Sequence, residues 1–130
     1  MKKIILLADD DFDDQMLLSE ALQLTNDQFE LHAVSSGREA MAFLRNFPDP
    51  IPDLVILDYN MPDNNGAEVL DMINSNDELR KIPVLVWSTS DSLIYKRICA
   101  EKGARSYFKK PNSFRELLTI IGKMLTFVKA

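Results

Sequence analysis

Short apolar runs alternate with helix-patterned segments along the whole chain, and this alternation restricts the fold more than any other feature. Residues 4–8, 54–57 and 84–87 are continuously apolar. Strands covered on both faces of a sheet read this way, because neither set of side chains meets water. Residues 29–34 and 106–108 are less apolar strands, placed by their position in the alternation.

Helical spacing recurs between the runs. Ala40, Phe43, Leu44 and Phe47 fall at i, i+3, i+4 and i+7 and so share one face of a helix. Ser36 and Glu39 have the spacing of a capping box at its start. Gly66, Val69, Leu70 and Ile73 repeat the stripe, as do Phe114, Leu117, Leu118 and Ile121 behind an N-cap at Asn112 or Ser113. Leu17, Leu18, Ala21, Leu22 and Leu24 mark the first helix. Between residues 91 and 102 the stripe thins to Ile94 and Ile98, with Tyr95 and Cys99 beside them and Gly103 as a stop. In the loop 46–53, Pro48, Pro50 and Pro52 break any helix.

A strand–helix unit repeated in this way makes a parallel sheet with helices on both faces. The length, 130 residues, suits a single domain spanning 1–130. Ligands of such sheets bind beyond the carboxyl ends of the strands. Asp9, Asp10 and Asp11 follow the first apolar run, and Asp58 follows the third with Asn60 close behind. Ser88 and Thr89 follow the fourth, and Lys110 follows the fifth.

Clustered carboxylates repel one another and raise each other's pKa values unless a cation lies beside them. Hard oxygen donors suit Mg²⁺, which binds through one or two carboxylates and keeps several waters. A carboxylate can also act as a nucleophile and become an aspartyl phosphate. The transferred group then needs positive charge and donors around it, for which a lysine and a hydroxyl serve. Taken singly, each residue has an ordinary alternative. Asp58 could open a turn, Ser88, Thr89 and Ser90 could cap a helix, and Lys110 could be a solvated charge. Asp13 and Asp14 suit a helix start.

Charge and composition exclude several classes. The net charge is −5, which repels phosphate backbones and argues against nucleic-acid binding. A single cysteine, Cys99, allows no internal disulfide. The apolar run after Lys2 and Lys3 is too short for a signal peptide and ends in aspartates. No run is long enough to span a membrane. The expectation is a cytoplasmic protein.

The pieces together resemble the response-regulator receiver domain of two-component signalling. The resemblance covers essentially the whole chain. It rests on the aspartates at 9–11, on the D-x-x-M-P-x-x-x-G pattern from Asp58 to Gly66, on Ser88 placed five residues after Pro83, and on Lys110 directly before Pro111. It implies a doubly wound, flavodoxin-like sheet ordered 2-1-3-4-5 with five helices. It implies that Asp58 accepts a phosphoryl group from a histidine kinase or phosphotransfer protein. Asp10, Asp58 and the Asn60 carbonyl would bind Mg²⁺, with Asp9 acting mainly through water. Ser88 and Lys110 would hold the phosphoryl oxygens. Ser88 and Tyr107 would form the switch that changes the face of the fourth helix, fifth strand and fifth helix toward a separate protein target. Gln15 and Leu18, with the loop from Pro111, would dock the kinase. No output domain is expected after the fifth helix, and the chain would act on no substrate but itself.

Three positions depart from the usual pattern. Thr89 stands where a small residue is common and would narrow access to Asp58. Trp87 replaces an aliphatic residue and reads as core. Ser90, with Asn60, would tune the lifetime of the aspartyl phosphate, here expected to be unexceptional. His32 reads as a packing or surface residue, Cys99 as a helix residue with no redox task, and Asp11 as a solvated loop charge. The rivals are a degenerate receiver that binds partners without phosphorylation and a phosphohydrolase with an aspartyl nucleophile. The second would need an acid where Asn60 stands.

Overall fold

The most apolar strands lie at the middle of a parallel sheet, as double-sided burial requires. A computed structural model describes residues 2–26, 28–46 and 51–128. Its strands are β1 (Lys3–Ala8), β2 (Phe29–Val34), β3 (Leu54–Asp58), β4 (Val84–Ser88) and β5 (Ser106–Lys109). Its helices are α1 (Phe12–Thr25), α2 (Gly37–Asn46), α3 (Gly66–Asn74), α4 (Leu93–Glu101) and α5 (Phe114–Leu125), with one short 3₁₀ turn at Leu79–Lys81. The sheet order is β2-β1-β3-β4-β5 and every pairing is parallel. This is the expected 2-1-3-4-5 doubly wound architecture. Phe47, Pro48 and Pro50, assigned above to a helical stripe and its breaking loop, lie outside the described residues.

Alternate residues of each central strand feed opposite cores. Ile5, Leu7, Leu54, Ile56, Leu85 and Trp87 pack against Leu18, Ala21 and Leu22 of α1 and Leu117, Ile121 and Met124 of α5. Leu6, Ala8, Val55, Leu57, Val84 and Val86 pack on the other side, against α2, α3 and Cys99 of α4. Each such buried aliphatic side chain contributes about 1.5–3 kcal/mol relative to exposure. Trp87 is core, as read from the sequence.

The phase of two helices differs from the expectation. Leu17 and Leu24 point to solvent, because the packed face of α1 follows Leu18, Ala21 and Leu22. Ile94 is likewise exposed, and Tyr95, Ile98 and Cys99 carry the inward stripe of α4 at i, i+3 and i+4. Cys99 is the single fully buried residue of α4, so that helix is the least anchored of the five.

The caps are largely those the composition foretold. Ser113 caps α5, and Gly103 follows α4 with φ +101°, a conformation that glycine adopts without penalty. Ser36 accepts from the Glu39 amide, but the Glu39 carboxylate bonds Ser35 rather than closing the box on Ser36. The reciprocal capping box is on α3, between Asn65 and Glu68. Asp11 is no free loop charge. Its carboxylate accepts from the Asp13 and Asp14 amides and caps α1, a contribution of about 1 kcal/mol.

Candidate phosphoacceptor site

The strand ends are brought flush by the register. Asp58, the last residue of β3, pairs with Trp87, and Ser88 pairs with Lys109. The Lys110 amide then donates to the Ser88 carbonyl at 2.8 Å, which aims the lysine back over the sheet edge. The start of α3 comes close to the same edge. Gly66 donates to the Tyr59 carbonyl at 2.8 Å, and a Cβ at Gly66 would lie 2.9 Å from the Asp58 carbonyl oxygen. Only glycine leaves room there.

Three carboxylates meet at this edge. Asp9, Asp10 and Asp58 each place an oxygen within 4.8 Å of the others. Asp9 and Asp58 are buried, whereas Asp10 is exposed. Asp9 Oδ1 accepts from the Asp11 amide at 2.8 Å. Lys110 Nζ pairs with the buried Asp9 Oδ2 at 2.9 Å. The same ammonium bonds Asp58 Oδ2 at 3.2 Å and Asp14 Oδ2 at 2.8 Å.

Burial pushes the Asp58 carboxyl up to about 7, and the Asp9 charge adds to it; Lys110 and the Asn60 amide pull the other way. Burial also raises Asp9, against the opposing pull of Lys110. Burial alone would lower the Lys110 ammonium, yet its contacts with Asp14 and Asp9 and the charge of Asp58 hold it above the ordinary lysine range. The pocket is therefore short of positive charge. A divalent cation fits it on two counts: the donors are hard oxygens, and the single Lys110 ammonium is shared among Asp9, Asp14 and Asp58.

An open crevice above the carboxylates is lined by Asp10, Asp58, Asn60, Thr89, Lys110 and Asp14, among others. Asp9 is fully buried. Ser88 is fully buried, its Oγ accepting from the Ser90 amide at 3.1 Å. Tyr107 is half-buried, and its hydroxyl donates to the Ser90 carbonyl at 2.8 Å. Burial raises the Tyr107 phenol, while a hydrogen bond with Ser88 acts in the opposite sense. Ser88, Ser90 and Tyr107 thus form one connected group beside the crevice.

Two side chains were missed from the sequence. Asp14, assigned to the helix start, also reaches Lys110. Tyr59, directly after Asp58, stacks on Tyr95 of α4 with ring centres 4.1 Å apart and planes 12° from parallel. The docking expectation for Gln15 and Leu18 is overturned. Leu18 is core, and Gln15 is buried with its amide donating to the Asp9 and Val34 carbonyls. The exposed side of α1 carries Phe12, Met16 and Leu17 instead. His32 packs near Phe43 and pairs with Glu30, far from the crevice.

A five-stranded doubly wound sheet with an acid cluster, a buried lysine and a hydroxyl at its carboxyl edge defines a class of signalling domain. The chain belongs to the response regulator receiver domain family of two-component systems, which matches residues 5–122. It is 33% identical over 129 residues to response regulator Rcp1 of Synechocystis sp., covering 96% of this chain and 88% of that protein. Among solved structures it resembles the phosphorylated cyanobacterial phytochrome response regulator RcpA, at 33% identity and TM-score 0.89 over 98% of this chain and 94% of that one. It also resembles the Mn²⁺-bound form of Rcp1, at 31% identity and TM-score 0.86 over 98% of this chain and 99% of that one. Among the described residues no helix is long and apolar enough to cross a membrane.

Proposed function

We propose that this receiver accepts a phosphoryl group on Asp58 from a histidine kinase or phosphotransfer protein in the cytoplasm, in a Mg²⁺-dependent reaction. The observation that carries this reading is the convergence of Asp58 with Asp9, Asp10 and Lys110 at one sheet edge. An Asp58 oxygen attacks the phosphorus of a phosphohistidine. The P–O bond forms as the P–N bond breaks, and the imidazole leaves with the electron pair and takes a proton from solvent. Asp10, Asp58 and the Asn60 carbonyl would hold Mg²⁺, with Asp9 acting mainly through water, and the ion would supply positive charge for the phosphoryl oxygens. Lys110 supplies a second positive contact, and Ser88 turns to donate from the other side.

That turn withdraws Ser88 from the Tyr107 phenol and leaves Tyr107 to follow. The α4–β5–α5 face then changes toward a protein target, which requires only a two-state element biased by new contacts. The loosely anchored α4 suits that part. The crystal forms of RcpA and Rcp1, one phosphorylated and one with Mn²⁺, support the reading by similarity.

The test is loading by a small-molecule phosphodonor with Mg²⁺, followed by intact mass. One phosphoryl group per chain is expected on the parent and none on Asp58→Asn. Repeated turnover of a phosphate monoester would instead favour a hydrolase, and failure to load or to form a beryllofluoride adduct would favour a receiver that works without phosphate.

A further inference from the structure

We infer that Asp14 is a positioning residue that competes with the phosphoryl group for Lys110, so that it restrains loading of the crevice. This rests on the phosphoacceptor reading above. An ammonium has three N–H donors. In this structure Lys110 faces three carboxylates, Asp9, Asp14 and Asp58, and the shortest of the contacts, a directed hydrogen bond at 2.8 Å, goes to Asp14. A phosphoryl group on Asp58 must take at least one of those donors.

Asp14 is the partner that can give way. Asp9 and Asp58 belong to the acid cluster that a cation would hold, and both are buried. The Asp14 side chain is the most exposed of the three, at 27%. It stands between two spaces. Asp14 and Lys110 line the carboxylate crevice and also a second cavity of about 120 Å³ between α1 and the start of α5, with Leu17, Trp87 and Phe114. A carboxylate released from Lys110 can turn toward that space and water. While it stays, it neutralises the lysine and adds a negative charge facing the incoming dianion.

Asp14→Asn removes the charge at nearly constant shape. Beryllofluoride with Mg²⁺ serves as the phosphoryl probe, and Mg²⁺ alone is titrated in parallel. The expected result is beryllofluoride binding tighter by about three- to fivefold, the size of one partly exposed ion pair. Mg²⁺ binding should weaken, because the freed lysine presses harder on Asp9 and Asp58. A loosened fold would weaken both, so opposite signs identify competition. Asp14→Glu should behave as the parent. Asp13→Asn, an equal charge change at an exposed neighbour outside the Lys110 ion pairs, should change neither affinity. Unchanged or weaker beryllofluoride binding in Asp14→Asn, or an equal gain in Asp13→Asn, would overturn the assignment while leaving the phosphoacceptor reading intact. Failure of the parent itself to bind the probe would instead strike that reading.

Discussion

The surroundings of Asp58 oppose its ionisation. Burial and the Asp9 charge push its carboxyl up to about 7, against an ordinary value of about 3.9 in an unfolded chain. Between those limits the folded chain holds a proton that the unfolded chain has lost, so stability falls as pH rises through the window. Burial raises Asp9 as well. In urea denaturation without metal, Asp58→Asn should exceed the parent by about 1–3 kcal/mol at about pH 8, with the gap narrowing as pH falls and closing at about pH 4. A gap that does not change with pH would contradict the assignment. Thr89 is exposed and lines the crevice. Thr89→Ala should speed phosphotransfer by less than about fivefold, the rate equivalent of a steric barrier near 1 kcal/mol. Rapid-quench kinetics would read it, and a slower variant would show that the threonine assists loading.

At the scale of elements, α4 is the weakest-held part. It buries Cys99 completely and leaves Leu93 and Ile94 in solvent. Tyr95 compensates by stacking on Tyr59, whose backbone is fixed between Asp58 and Gly66. An aromatic pair contributes about 0.5–1.5 kcal/mol beyond burial. Tyr95→Ala should therefore speed amide hydrogen exchange in α4 before it affects α1 or α5, with a global loss of about 1–2 kcal/mol. Uniform acceleration across all helices would show that α4 does not open by itself. The Lys102–Asp71 ion pair and the Asn74 amide at the Lys102 carbonyl tie the other end of α4 to α3. Opening should accordingly start at the Leu93 end.

For the whole molecule, cation binding and folding are linked. The unfolded chain has no preformed acid cluster, so Mg²⁺ at a hundredfold excess over its Kd should stabilise the fold by about 2.7 kcal/mol. Scanning calorimetry should show the rise in the parent and its loss in Asp10→Asn. Trp87 is the sole tryptophan, and the Lys110 ammonium sits 5.0 Å from its ring centre. Its fluorescence should change when Lys110 moves toward a phosphoryl analogue, and a silent signal would mean the lysine stays in place.

By itself the sequence determined the architecture and most of the residues that meet at the strand ends. Apolar alternation specifies a sheet buried on both faces, because side-chain direction has a fixed local period in strands and helices. The acids, hydroxyl and lysine at the strand ends were legible for the same reason, since the parallel order forces those ends together. Helix phase was less legible. Neighbouring apolar residues such as Leu17 and Leu18, or Ile94 and Tyr95, fit the period almost equally, and only packing against the sheet selects one. Tertiary structure alone decided which acids share the lysine. Asp14 and Lys110 are 96 residues apart, and their bond forms only when α1 and the end of β5 close on the same sheet edge. No local period encodes that meeting. It follows from three-dimensional closure, as does the stack of Tyr59 on Tyr95.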